Sequence, residues 1–299
     1  MHRTRLASAL SAMPIPYAAQ RNSSVDFLFN CFPNLMGSMP SWVADDLFPH
    51  ATDTLCPTPA LPLGSFTLTW PCLLPLCILG ICIGMRGGRS FRLLSTYVSN
   101  AFYFFAMMNF SAFLAHSVCK TFTPMWWLTY NWDMAATSAS SFNLVLGTLH
   151  LSGFKLPSWM PVFSLYGYMP ACTVVLHLSQ LHSIQVPWVP ELLYIGVTSV
   201  AACVMARLLL LPVVLSRPAP SCPDSARRRS MLKALLIVVF GVSIFAAGPG
   251  LDKYLCRAEK LVGGWGWGNM LVPAFGGCDL AFWGLARYLH ARSRVRKSR

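Results

Sequence analysis

Apolar runs of about twenty residues recur along most of the chain, separated by short stretches that hold Lys, Arg, Pro and Gly. A helix needs about 20 mainly apolar residues to cross the hydrocarbon core of a bilayer. Seven segments meet that demand or approach it: 63–85, 93–119, 134–154, 159–181, 192–215, 231–251 and 261–288. Asp133 borders the third, Arg207 lies near one end of the fifth, and the seventh contains Asp279. The pattern predicts an all-α, multi-pass bundle of about seven transmembrane helices over residues 63–290.

The first 62 residues read differently. Pro14, Pro16, Pro33, Pro40, Pro49, Pro57 and Pro59 break them into short apolar pieces, so they form a tail ahead of the bundle rather than a span. Arg3 and Arg5 before a short apolar stretch faintly resemble a signal peptide. Residues 217–230 are rich in Pro and Arg and read as a solvated loop. Residues 291–299 form a basic tail.

Composition agrees with the pattern. The apolar residues make up 55% of the 299, and only 11% are charged, against about 25% in an ordinary soluble domain. The formal net charge is +13, but the basic residues gather between apolar runs instead of along one folded surface. That excludes a nucleic-acid binder and makes the lipid bilayer the partner. The eleven cysteines contain no C-x-x-C pair, which argues against a zinc ribbon.

The basic residues also predict orientation, because they stay on the cytosolic side of a membrane. With seven spans, Arg86, Arg89, Arg92, Lys155, Arg217, Arg227, Arg228, Arg229 and Lys233 share one side with Arg287, Arg292, Arg294, Arg296, Lys297 and Arg299. Only Lys120, Lys253, Arg257 and Lys260 lie close to the membrane on the other. The C-terminus is therefore expected in the cytosol and the N-terminus in a lumen or outside the cell. A sequon at Asn22, the pair Cys31 and Cys56, and the Trp126, Trp127, Trp132 and Trp188 cluster fit an outer assignment. The final Arg296-Lys297-Ser298-Arg299 looks like a retrieval signal of endoplasmic-reticulum membrane proteins.

Ionisable side chains inside a membrane are costly and mark function by default. In this topology Ser111 and His116 approach the outer end of the second span, and Asp133 opens the third. His177 and His182 end the fourth, Asp252 and Cys256 follow the sixth, and Asp279 lies in the seventh. Imidazole with carboxylate is a zinc-binding chemistry, and bound zinc activates water. The plainer alternative is that Asp133 caps a helix start and the histidines sit at the interface.

The stretch Asn109-Phe110-Ser111-Ala112-Phe113-Leu114-Ala115-His116, followed by Asp133, resembles the CREST superfamily of seven-span membrane hydrolases, alkaline ceramidases among them. Gly250-Leu251-Asp252-Lys253-Tyr254-Leu255-Cys256 is similar to the ceramidase segment before the last span. The resemblance covers about residues 93–290. It implies a hydrolase of lipid amides or esters in which His116 ligates zinc, Asp133 orients water and Ser111 stabilises oxyanion charge. The sequence departs from the family in three respects. Ser111 and His116 are five apart where the family has four, Asp133 stands further from His116 than in the family, and the seventh span lacks the family's His-x-x-x-His, offering only Asn269, Cys278 and Asp279. Other classes therefore stay open: a transporter built around intramembrane charges, or a non-catalytic scaffold packed through Gly80/Gly84 and Gly264/Gly268.

Overall fold

The computed structural model describes residues 60–63, 66–69, 71–119, 124–179, 192–210, 224–262, 267–268 and 271–293. A two-stranded antiparallel hairpin comes first, β1 (Ala60–Leu63) and β2 (Phe66–Thr69), with Leu61 opposite Leu68. Seven helical segments follow among the described residues. They are α1 (Leu73–Phe91), α2 (Thr96–Val118), α3 (Pro124–Leu151), α4 over 160–179, α5 over 192–210, α6 (Asp224–Val262) and α7 (Leu271–Ser293). Each overlaps one of the seven apolar segments, though residues 261–262 of the expected seventh end α6 and α7 starts only at Leu271. Four of them, α1, α2, α4 and α6, contain stretches long and apolar enough to cross a membrane by length and composition.

The burial pattern is that of a protein whose exterior is oil. Leu236 is 68% exposed, Phe240 62% and Val162 64%, while Asn109, Asn131 and Asn143 are all 0% exposed. A soluble domain buries the first kind and exposes the second. Here the polar groups turn inward. Ser140 Oγ donates to the Ala101 carbonyl at 2.9 Å, and Ser99 Oγ to the Gly88 carbonyl at 2.7 Å. Such bonds join neighbouring helices where packing against lipid offers no hydrophobic gain.

Small residues set the closest helix contacts. Along α1, Gly80, Gly84, Gly87 and Gly88 are all buried. A β-carbon at Gly84 would lie 2.6 Å from the Phe102 carbonyl oxygen, and one at Gly80 would overlap the Asn109 amide. The Gly80/Gly84 spacing thus does admit a close neighbour, and that neighbour is α2 of the same chain. Gly264 lies outside the described residues, while Gly268 packs on Glu259, which accepts its backbone N–H at 2.8 Å.

Several boundaries differ from the sequence expectation, each for a physical reason. The first span was expected to begin at 63, but Leu63 ends β1 and α1 starts at Leu73. A short apolar run does not distinguish strand from helix, and Thr67 and Thr69 favour the strand. At its other end α1 continues to Phe91, so Arg86 and Arg89 lie on the helix rather than in a loop. Asp133 does not cap α3. The helix begins at Pro124, a residue suited to a first helical position, and runs through the tryptophan cluster without a break. From Asp224 onward the expected 217–230 loop is already α6. Asn22, Cys31, Cys56, His182, Trp188, Arg217 and the Arg296–Arg299 tail lie outside the described residues.

Candidate functional site

α1 packs against α2, α2 against α3, and α7 against α1. The N-terminal ends of α1, α3 and α7 therefore meet the C-terminal end of α2 at one end of the bundle. β2 packs onto the last turn of α2 there. That last turn, Leu114–Val118, is a π-helix carrying His116. Single π turns inside α-helices recur at functional sites, because the extra residue re-aims side chains.

His116 Nε2 stands 3.8 Å from Asp133 Oδ2. This is longer than a hydrogen bond, and it becomes an ion pair only with a protonated imidazole. Both side chains are largely shielded, at 18% and 11% exposure. Two of the residues singled out from sequence are thus brought together. The ring of Tyr130, one turn before Asp133 on α3, meets the imidazole edge-on at 6.3 Å, and Trp126 stacks on Tyr130 at 5.1 Å. Trp126 is buried and serves as a wall of the site, while Trp132 is exposed as an interfacial tryptophan would be.

Ser111 is buried one turn and a residue before His116, but its hydroxyl turns onto its own helix. Oγ donates to the carbonyls of Met107 at 2.8 Å and Met108 at 3.1 Å. This back-bonding is common for serine within helices. An oxyanion role would require the hydroxyl to leave both partners.

Asp279 is the second buried carboxylate of this core. It is 2% exposed, and neither of its oxygens has a hydrogen-bond partner among the described residues. At 1.5 Å rise per residue, it lies about 12 Å along α7 from that helix's start, as Asp133 lies about 13–14 Å along α3. Cys77, Met134, Ala135, Phe275 and Cys278, among them the chain neighbours of both acids, belong to one apolar cluster.

The zinc ligation implied by the family resemblance does not fit. Among the described residues no group of three or more His, Cys, Asp and Glu side chains is arranged to hold a metal ion. His116 and Asp133 supply two donors, and the seventh helix adds no imidazole at this depth. His177 lies on α4 and His290 at the far end of α7, its ring tilted against Phe91 at 4.8 Å. Asp252 lies within α6 rather than beyond its end.

The buried amides Asn109 and Asn131 were not singled out from the sequence. Their signal was present: an asparagine in an apolar run of a spanning helix is costly unless it faces the bundle interior. Asn109 Nδ2 donates to the Phe105 carbonyl at 3.0 Å, while its Oδ1 is buried without a hydrogen-bond partner among the described residues. Comparison with protein-family models, with curated proteins and with solved structures gives no match.

Proposed function

We propose that the chain is a seven-span membrane protein whose polar core handles a proton or a small cation within the bilayer. The observation that carries this reading is Asp279. A buried carboxylate without a hydrogen-bond partner is expensive in a low-dielectric interior. It persists where a proton, a cation or water joins it, and intramembrane acids mark such pathways in transporters. The Asp133–His116 pair supplies a second station, and the chain neighbours of the two acids, Met134 and Cys278, share one apolar cluster.

The test is flux through the purified full-length chain in liposomes. Proton movement is read with an enclosed pH-sensitive dye, and sodium and potassium gradients are imposed in turn. Wild type should dissipate at least one gradient faster than empty liposomes, and Asp279→Asn should return to the empty rate. If no gradient moves faster than in empty liposomes, the transport reading fails.

A hydrolase remains the second reading because His116 and Asp133 do meet. Its measurement is different. Release of fatty acid from a lipid amide or ester by the wild type, lost in His116→Ala, would favour it over transport.

The same proposal takes the N-terminus as lumenal or extracellular, the C-terminus as cytosolic, and the endoplasmic reticulum as the residence. Support comes from the fifteen-to-four distribution of basic residues named above and from the Arg296-Lys297 pair. Reporter sequons placed in the N-terminal tail should be glycosylated, and those placed at 217–223 should not. Glycans on the latter would reverse the orientation.

A further inference from the structure

The bundle end opposite His116 is basic. α1 closes there with Arg86 and Arg89, and Arg292 at the end of α7 donates to the Leu151 carbonyl at 3.3 Å. Between the start of α2 and the turn joining α3 to α4 lies an open cleft of about 570 Å³, lined in part by Thr96, Tyr97, His150, Lys155 and Ser158. No carboxylate is among its lining residues.

The local chain geometry explains why these groups converge. α3 ends in paired backbone bonds, Phe154 N–H to the Leu149 carbonyl at 3.1 Å and Gly153 N–H to the His150 carbonyl at 3.1 Å. This is a helix stop that needs a left-handed residue, and Gly153 has φ +92°. The reversal turns Lys155 back beside His150, whose ring meets Tyr97 edge-on at 5.9 Å. On the facing wall Ser95 caps α2 by accepting the Val98 N–H at 3.5 Å. The first amides of α2, Thr96 and Tyr97, begin the helix without intrahelical acceptors and lie at the cleft, with the positive end of the helix dipole behind them.

We propose that this cleft binds a phosphate group, and that the phosphate is the headgroup of an anionic membrane lipid. Lys155 supplies a charge-assisted donor, and His150, Thr96, Ser158 and the α2 amides supply further hydrogen-bonding groups. The volume exceeds what a lone phosphate fills. Phe154 and Trp159, 55% and 58% exposed beside the cleft, suit the headgroup–acyl boundary. The inference rests on the membrane reading but not on the transport one, since it concerns the other end of the bundle.

The experiment titrates short-chain fluorescent phosphatidic acid onto the full-length chain in phosphatidylcholine nanodiscs, with inorganic phosphate as competitor. Wild type should bind phosphatidic acid in preference to a phosphatidylcholine analogue. His150→Gln/Lys155→Ala should weaken it about fivefold or more, the effect expected for losing one or two basic contacts near a membrane. Arg86→Ala, basic at the same end but outside the cleft, should leave binding unchanged. If the double variant does not fold, Lys155→Glu at its exposed turn position replaces it. Binding that resists inorganic phosphate assigns a lipid headgroup, and displacement by inorganic phosphate alone assigns a free phosphate. Equal losses in Arg86→Ala and the cleft variant, or no preference over phosphatidylcholine, would overturn the site.

Discussion

Gly277→Ala is expected to destabilise the bundle by about 2 kcal/mol or more, while Gly276→Ala beside it changes little. The two glycines are neighbours on α7 with the same helix propensity, so the backbone effect of alanine is the same at both and mildly favourable. They differ only in what the new methyl meets. At Gly277 it would lie 2.6 Å from the Gly241 carbonyl oxygen and 2.6 Å from the Phe245 nitrogen, both backbone atoms of α6. No rotamer change relieves a clash with backbone, so the helices must separate. At Gly276 the nearest atom outside the immediate backbone is Leu76 Cδ2 at 3.9 Å, an ordinary contact.

Separation would propagate, because the seam continues along both helices. Gly241 approaches Gly277 and Ala281, and Gly284 approaches Ala234 and Val238. These positions recur at intervals of three and four and form one stripe on each helix. The measurement is thermal unfolding in detergent, followed by reaction of the buried Cys77 and Cys172 thiols with a maleimide dye. Loss of a similar size in Gly276→Ala, or none in Gly277→Ala, would mean that the α6–α7 seam is looser than its geometry implies.

The helices were legible in the sequence because each apolar run is long, and a run of some twenty apolar residues has few alternatives. The ends were less so. Leu63 belongs to a strand and Asp133 to a helix interior because local composition at 60–69 and 124–132 is ambiguous: apolar with two threonines in the first, strongly aromatic in the second. The His116–Asp133 juxtaposition was anticipated by their shared depth in a seven-span topology. The π turn that carries His116 was not, since nothing in Leu-Ala-His-Ser-Val marks an inserted residue. The cleft at His150 and Lys155 escaped notice for another reason. Its donors come from two parts of the chain, Thr96–Tyr97 and 150–158, that only the packing of α2 on α3 brings together. Its basic residue reads from sequence alone as one more topological charge.

Asp279→Leu should raise the stability of the purified protein while removing its function. Leucine has the branching of aspartate, with two somewhat larger methyl groups in place of the oxygens, and the surroundings are apolar: Phe275 lies one turn away on the same helix, within the cluster that includes Met134 and Ala135. Exchanging an unbonded buried carboxylate for an apolar side chain removes a desolvation cost of about 1–3 kcal/mol and breaks no hydrogen bond among the described residues. A core residue with a purely architectural role behaves in the opposite way, since its replacement costs stability. Asp279→Asn separates shape from charge. It keeps the outline of the side chain but brings an amide whose donors also lack partners, so it should leave stability near the wild-type value and still abolish gradient dissipation. Stability is read by thermal unfolding in detergent and function by the liposome assay, on the same preparations. A marked fall in unfolding temperature for both variants would assign Asp279 a structural partner, most simply a buried water network, and would remove the argument for an ion-handling core. A gain in stability coupled to loss of flux would mark a carboxylate kept in the membrane at the expense of the fold, as a stability–activity trade-off requires.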